Sequence, residues 1–168
     1  ICVLACKFCA FRRGRNASDA YALEVGEYLE TLDKFAPYVD EVHSVGGLHP
    51  DWTIEHYEDL FRTIKKKYSH IHIKALTAVE IKHLAELSNV SVKDILARLK
   101  RAGLGSLPGG GAEILNDEIR EKICNGKESS SEYIEIHRVA HNNDIPTNCT
   151  MLFGTIESTE DRINHMIK

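Results

Sequence analysis

The chain has 168 residues, 43% of them hydrophobic and 27% charged, the make-up of a globular protein with one moderate core. A net charge of −4 argues against broad binding to nucleic acid or to anionic membranes, and no apolar run is long enough to span a bilayer. Five cysteines, three of them crowded together, do not resemble a disulfide framework and point to a reducing compartment, the cytoplasm.

The first stretch is the most informative. Ile1-Cys2-Val3-Leu4-Ala5-Cys6-Lys7-Phe8-Cys9 carries three thiols at the spacing C-x3-C-x2-C. A tight loop of this kind can point three sulfurs at one centre. Three thiolates are one short of the four that close a structural zinc site or an ordinary [4Fe–4S] cluster, so one iron is left open to a small molecule. Phe8 adds an apolar wall beside the third thiol. Zinc completed by His43 or His49 is the alternative. A ferredoxin-type run fits less well, because it uses C-x2-C-x2-C with a fourth cysteine nearby, whereas Cys124 and Cys149 stand far along the chain. These two are expected to be packing residues. The start at Ile1 and the stop at Lys168, inside a helical pattern, predict a fragment truncated at both ends.

A basic stretch, Arg12 to Asn16, follows and reads as a solvated loop. Ser18 or Asp19 is expected to cap a helix over 20–35, with Leu23, Tyr28, Leu29 and Leu32 as apolar contacts and Pro37 after it. Residues 41–45 read as a short strand ending in Gly46-Gly47-Leu48-His49-Pro50. Thr53 opens a helix with Tyr57, Leu60, Phe61 and Ile64 on one side and three lysines in its last turn. Residues 71–76 form the next strand and 78–87 a helix. Ser91 caps another helix with Val92, Ile95, Leu96 and Leu99 at helical spacing, closed by Gly103. A strand is predicted at 105–107, helical or irregular structure around Ile119 and Ile123, a helix over 132–142, a strand over 147–153 and a helix from Ser158.

Alternating strands and helices predict a parallel sheet with helices outside it. Four strands are expected, with a fifth before Ile1. A partial (β/α) barrel and a doubly wound sheet both fit this alternation. In either, functional groups gather at the C-terminal ends of the strands, where the cysteine loop, Gly46-Gly47, Thr77 to Glu80 and the stretch from Pro108 to Glu113 all fall. Gly46 and Gly47 permit close approach to the backbone. The triple glycine at 109–111 matches neither a Walker loop nor G-x-G-x-x-G, and Glu113 behind it could accept hydrogen bonds from hydroxyls such as those of a ribose. His137 and His141 share a helix face without the glutamate of a zinc-protease motif, so an ordinary packing role is expected for them.

Cys2, Cys6 and Cys9, with Phe8 before the last, resemble the radical S-adenosylmethionine (SAM) superfamily, and Gly46-Gly47 resembles its glycine motif. The resemblance implies a (β/α) TIM-type barrel, here its N-terminal half, with residues 1–168 forming part of one radical SAM core domain. It also implies a [4Fe–4S] cluster on Cys2, Cys6 and Cys9, and SAM against Phe8, Gly46, Gly47 and Glu113. An external electron donor such as flavodoxin or ferredoxin is implied as well. Residues 45–51, 106–113 and 150–154 resemble the menaquinone (futalosine pathway) and deazaflavin branch, and Ile73-Lys74-Ala75-Leu76-Thr77-Ala78-Val79-Glu80 resembles its aminofutalosine synthases. Cyclic dehypoxanthinyl futalosine synthases tend to carry His-Gly-Phe-Ser-Pro-Pro-Glu there. The implied reaction adds the 5′-deoxyadenosyl radical of SAM to 3-[(1-carboxyvinyl)oxy]benzoate, giving 6-amino-6-deoxyfutalosine with loss of CO2 or bicarbonate. Arg12, His49, Lys74 and Arg138 are candidates by type for the two substrate carboxylates. A deazaflavin (FO) synthase-like enzyme and a non-catalytic zinc or iron–sulfur module are the alternatives.

Overall fold

The computed structural model describes residues 1–168. A three-stranded, all-parallel sheet in the order β1 (Glu41–Ser44), β2 (His72–Ala75), β3 (Leu104–Ser106) forms its centre. Seven helices surround it: α1 (Val25–Asp33), α2 (Ile54–Lys67), α3 (Ala78–Ser88), α4 (Val92–Ala102), α5 (Asp117–Cys124), α6 (Ser130–Asn142) and α7 (Thr159–Ile167). Val42 faces Ile73 across the first pairing and Ile73 faces Leu104 across the second, so β2 is central. Its Ile73 and Ala75, two apart and on the same face, are each 1% exposed, whereas His72 and Lys74 on the other face are not buried.

The helices follow from their apolar stripes and caps. On α2, Ile54, Leu60, Phe61 and Ile64 are buried; on α4, Ile95, Leu96, Leu99 and Ala102 are. Burying one such side chain contributes about 1.5–3 kcal/mol, which outweighs the weak helix propensity of the isoleucines. Ser91 accepts the Asp94 N–H at the start of α4, and Gly103, at φ +122°, closes it in a conformation that favours glycine. The Glu58 carboxylate, nearly buried on α2, accepts two hydrogen bonds from Arg98 of α4 at 2.8 and 3.1 Å, which ties the two helices and holds its pKa down.

Two predicted elements differ. The helix expected over 20–35 starts only at Val25, because Asp19 is engaged by Arg13 at 2.5 Å and Glu24, with Glu27, supplies the capping box instead. The strand expected over 147–153 is reduced to a single parallel bridge, Leu107 to Thr147. Its backbone does run beside the glycine-rich turn, with Thr150 N–H donating to Gly109 O at 3.3 Å, but no continuous ladder forms beyond the bridge. No helix is long and apolar enough to cross a membrane.

Candidate active site

The cysteine loop has no regular structure of its own and is pinned from several sides. Cys2 N–H donates to Arg13 O at 2.8 Å, Val3 N–H to Leu48 O at 3.1 Å and Lys7 N–H to Ile123 O at 2.8 Å. Arg12 Nε closes the loop on Leu4 O at 2.9 Å. The loop therefore bridges the end of β1 and the end of α5. All five cysteines are free thiols.

Around Gly46 and Gly47 the packing is specific. Leu48 N–H points at Cys2 Sγ at 3.4 Å. A methyl group at position 47 would stand 2.2 Å from Ile1 O and 2.6 Å from Cys2 Cβ, so only glycine lets the loop sit this close. At position 46 the nearest atom would be Glu80 Oε1 at 3.7 Å, and that oxygen accepts the Gly46 N–H at 3.0 Å. Cys2, Cys9, Gly46, Gly47, His49 and Glu80 share one cavity of about 600 Å³. Arg12 lines it too, whereas Lys74 and Arg138 do not. Arg138 is instead on the outside of α6, paired with Glu135. Three rings stack along the wall: His49 on Trp52 at 4.2 Å and Trp52 on His56 at 4.0 Å.

Cys6, Phe8 and Glu113 gather around Lys127, outside the lining of that cavity, with Cys6 still within electrostatic reach of Cys2 and Cys9. Lys127 Nζ meets Glu113 Oε1 at 2.5 Å and lies 5.4 Å from the centre of the Phe8 ring. Burial works against the Lys127 charge, but the pairing with Glu113 prevails and its pKa is raised. The Cys6 thiol packs against the small core of Ile114, Ile119, Ile123 and Cys124, and this burial pushes its pKa up, with Lys127 pulling the other way. Glu113 has a left-handed backbone at φ +48°, and its C=O accepts Leu152 N–H at 2.8 Å.

The donor set fits a cluster with one open iron. No three His, Cys, Asp or Glu side chains stand close enough to share a single ion, as a zinc site requires, and neither His43 nor His49 joins the thiols in such a group. A cluster takes each thiolate at a different iron, and three thiols on one loop can supply them. Three residues to which the sequence assigned no individual role hold this region together. Glu80 accepts from Gly46, and Lys127 holds Glu113. Arg120, 3% exposed, donates to Gly111 O at 3.0 Å, to Ala112 O at 2.5 Å and to buried Glu128. Glu80 and Thr77 form a capping box that marks the start of α3, but nothing in the spacing links Glu80 to Gly46, 34 positions away.

Cys2 and Cys9 thus lie beside the glycine end of β1, at the edge of a parallel α/β fold. The family comparison agrees: the radical SAM superfamily model matches residues 1–168, and the chain belongs to that superfamily, whose members use a [4Fe–4S] cluster and SAM. It is 40% identical over 167 residues to an aminodeoxyfutalosine synthase of Thermus thermophilus, covering 99% of this chain and 45% of that protein. It is 42% identical over 170 residues to a 5-amino-6-(D-ribitylamino)uracil–L-tyrosine 4-hydroxyphenyl transferase of Methanopyrus kandleri, again covering 99% and 45%. The chain thus spans less than half the length of these relatives. Among solved structures, methylornithine synthase superimposes with a TM-score of 0.78 at 18% identity, over 99% of this chain and 46% of that one, which supports the partial α/β barrel.

Proposed function

We propose that residues 1–168 are part of the radical SAM core of an aminodeoxyfutalosine synthase-type enzyme. In this reading Cys2, Cys6 and Cys9 hold the [4Fe–4S] cluster, Gly46 and Gly47 border SAM from the cavity wall, and Phe8 and Glu113 approach it from the side of Cys6. The observation that carries it is the cavity in which Cys2 and Cys9 meet Gly46 and Gly47. When bound, the cluster would supply the electron that splits SAM. The overall reaction is transfer of SAM's 5′-deoxyadenosyl group to the enol ether of 3-[(1-carboxyvinyl)oxy]benzoate, yielding 6-amino-6-deoxyfutalosine with release of methionine from the broken C–S bond and loss of the carboxylate as CO2 or bicarbonate. The chain's own residues hold the reacting partners together and keep water away. Arg12 and His49, both on the cavity wall, are suited to a substrate carboxylate. The electron comes from an external donor such as flavodoxin or ferredoxin.

A second reading rests on the Methanopyrus relative, whose identity of 42% is as high as that of the Thermus synthase. It makes the substrates L-tyrosine and 5-amino-6-(D-ribitylamino)uracil. One experiment separates the two: the complete enzyme, reconstituted anaerobically, receives SAM, reductant and either the enolpyruvyl benzoate or the tyrosine pair. An adenosyl adduct of the benzoate supports the first reading. A hydroxyphenyl adduct of the uracil with free 5′-deoxyadenosine supports the second, and 5′-deoxyadenosine alone in both refutes both.

A further inference from the structure

We propose that Glu80 is a positioning residue that sets the Gly46–Gly47 strand end against the cysteine loop and thereby shapes the bed for SAM. This rests on the site reading given above. The Glu80 side chain is buried, with the residue 4% exposed, and it makes no ion pair. Three donors converge on it instead. Gly46 N–H reaches Oε1 at 3.0 Å, while Thr77 N–H and Thr77 Oγ1 reach Oε2 at 2.7 Å each. One carboxylate therefore ties the end of β1 to the end of β2.

The backbone at both ends needs such a tie. Leu76, just before Thr77, is left-handed at φ +60°, a conformation that a branched side chain disfavours. Beyond Gly46 the chain passes directly to the cysteine loop, through Gly47 against Cys2 and through Leu48, which exchanges backbone and sulfur contacts with Val3 and Cys2. With its N–H occupied by Glu80, Gly46 presents only its carbonyl as a free backbone group, which suits a cationic or N–H-bearing ligand such as an amino group. A helix cap alone would require the two Thr77 contacts but not the third, to Gly46.

The test uses the complete enzyme, reconstituted anaerobically, as wild type and as Glu80→Ala, Glu80→Gln and Thr77→Val. It measures iron content, SAM affinity from the change in the reduced cluster's EPR spectrum, thermal stability, and amide exchange at 46–48. Glu80→Ala is expected to keep its iron, exchange quickly at 46–48 and bind SAM about tenfold more weakly or worse, the effect of losing a hydrogen bond to a charged group. Thr77→Val, which removes the cap hydroxyl and spares the Gly46 contact, is expected to lower the melting temperature with slow exchange at 46–48 and unchanged SAM affinity. Should Glu80→Ala not fold, Glu80→Gln decides, since its one acceptor oxygen serves either Gly46 or the Thr77 N–H: fast exchange at 46–48 must come with weaker SAM binding, and slow exchange with SAM affinity kept. Unchanged SAM affinity in folded Glu80→Ala, or in a Glu80→Gln protein that exchanges quickly at 46–48, overturns the proposal. An equal loss in Thr77→Val also overturns it and leaves Glu80 as a helix cap. A wild-type cluster spectrum that ignores SAM refutes the site reading itself, whereas the exchange pattern at 46–48 still reports on the contact.

Discussion

Gly47→Ala and Gly46→Ala make a matched pair, because the same methyl group meets different surroundings one residue apart. At 47 it would stand 2.2 Å from Ile1 O, 2.6 Å from Cys2 Cβ and 3.0 Å from Ile1 C. Ordinary contact between heavy atoms begins at about 3.5 Å, so the loop backbone has to retreat by more than about 1 Å. The contacts that give way first are those pinning the loop, Val3 N–H to Leu48 O and Leu48 N–H to Cys2 Sγ. Overpacking of this kind costs about 1–3 kcal/mol, and here the strain falls on the first thiol. At 46 the methyl group meets only Glu80 Oε1 at 3.7 Å, and the backbone is not left-handed, so folding is expected to be unaffected. The assay compares thermal stability and iron bound after anaerobic reconstitution of the complete enzyme. Gly47→Ala should lose stability and iron together, and Gly46→Ala should retain both while weakening SAM binding by filling the bed. A Gly47→Ala protein with wild-type iron content would refute the reasoning that this close approach positions Cys2.

Arg120→Met leaves Glu128, whose side chain is 0% exposed, without its cationic partner and frees the carbonyls of Gly111 and Ala112. Breaking a buried pair on one side costs about 3–5 kcal/mol, readable as a lower denaturation midpoint at unchanged slope. His137 is buried with Nε2 unpartnered, and burial pulls its pKa down to about 4. The unfolded chain therefore takes up this proton at higher pH than the folded one. The resulting stability is complete above about pH 6.5 and declines, by at most about 2–3 kcal/mol, as pH falls towards 4. Denaturation at pH 7 and pH 5 measures the decline, and His137→Gln should flatten it.

What the sequence showed was local. The three thiols, the two glycines and the caps at Ser91 and Thr77 each lie within a few residues, where spacing alone carries the chemistry. Helices α2 and α4 were visible because their apolar residues recur at helical intervals. What stayed hidden was long-range. The contact of Glu80 with Gly46 spans 34 positions and that of Lys127 with Glu113 spans 14, and neither residue type is unusual where it stands. That Cys2 and Cys9 face the glycines while Cys6 and Phe8 meet Lys127 depends on how the loop lies across α5, which no spacing encodes.

The stretch from 73 to 80, on which the resemblance to one branch of the family chiefly rests, has a different meaning in three dimensions. Ile73, Ala75, Leu76, Ala78, Val79 and Glu80 are all buried, and only Lys74 and Thr77 are partly exposed. Most of this stretch builds the end of β2 and the start of α3. Relatives with two different names match nearly the whole chain at 40% and 42% identity, so overall identity does not choose a substrate either. Choice is then left to side chains that face the cavity: Arg12, Tyr21 and the His49–Trp52–His56 stack. Flat rings beside a guanidinium suit an aromatic acid, and both proposed substrates contain one, differing in where the carboxylate sits relative to the ring. Trp52→Ala should therefore weaken use of the preferred aromatic substrate about tenfold or more while SAM affinity holds, since one buried aromatic contact contributes on the order of 1–3 kcal/mol. Competition between the enolpyruvyl benzoate and tyrosine reads the effect directly. Unchanged turnover with Trp52→Ala, together with altered substrate choice on replacing Lys74 and Thr77, would return specificity to the 73–80 stretch.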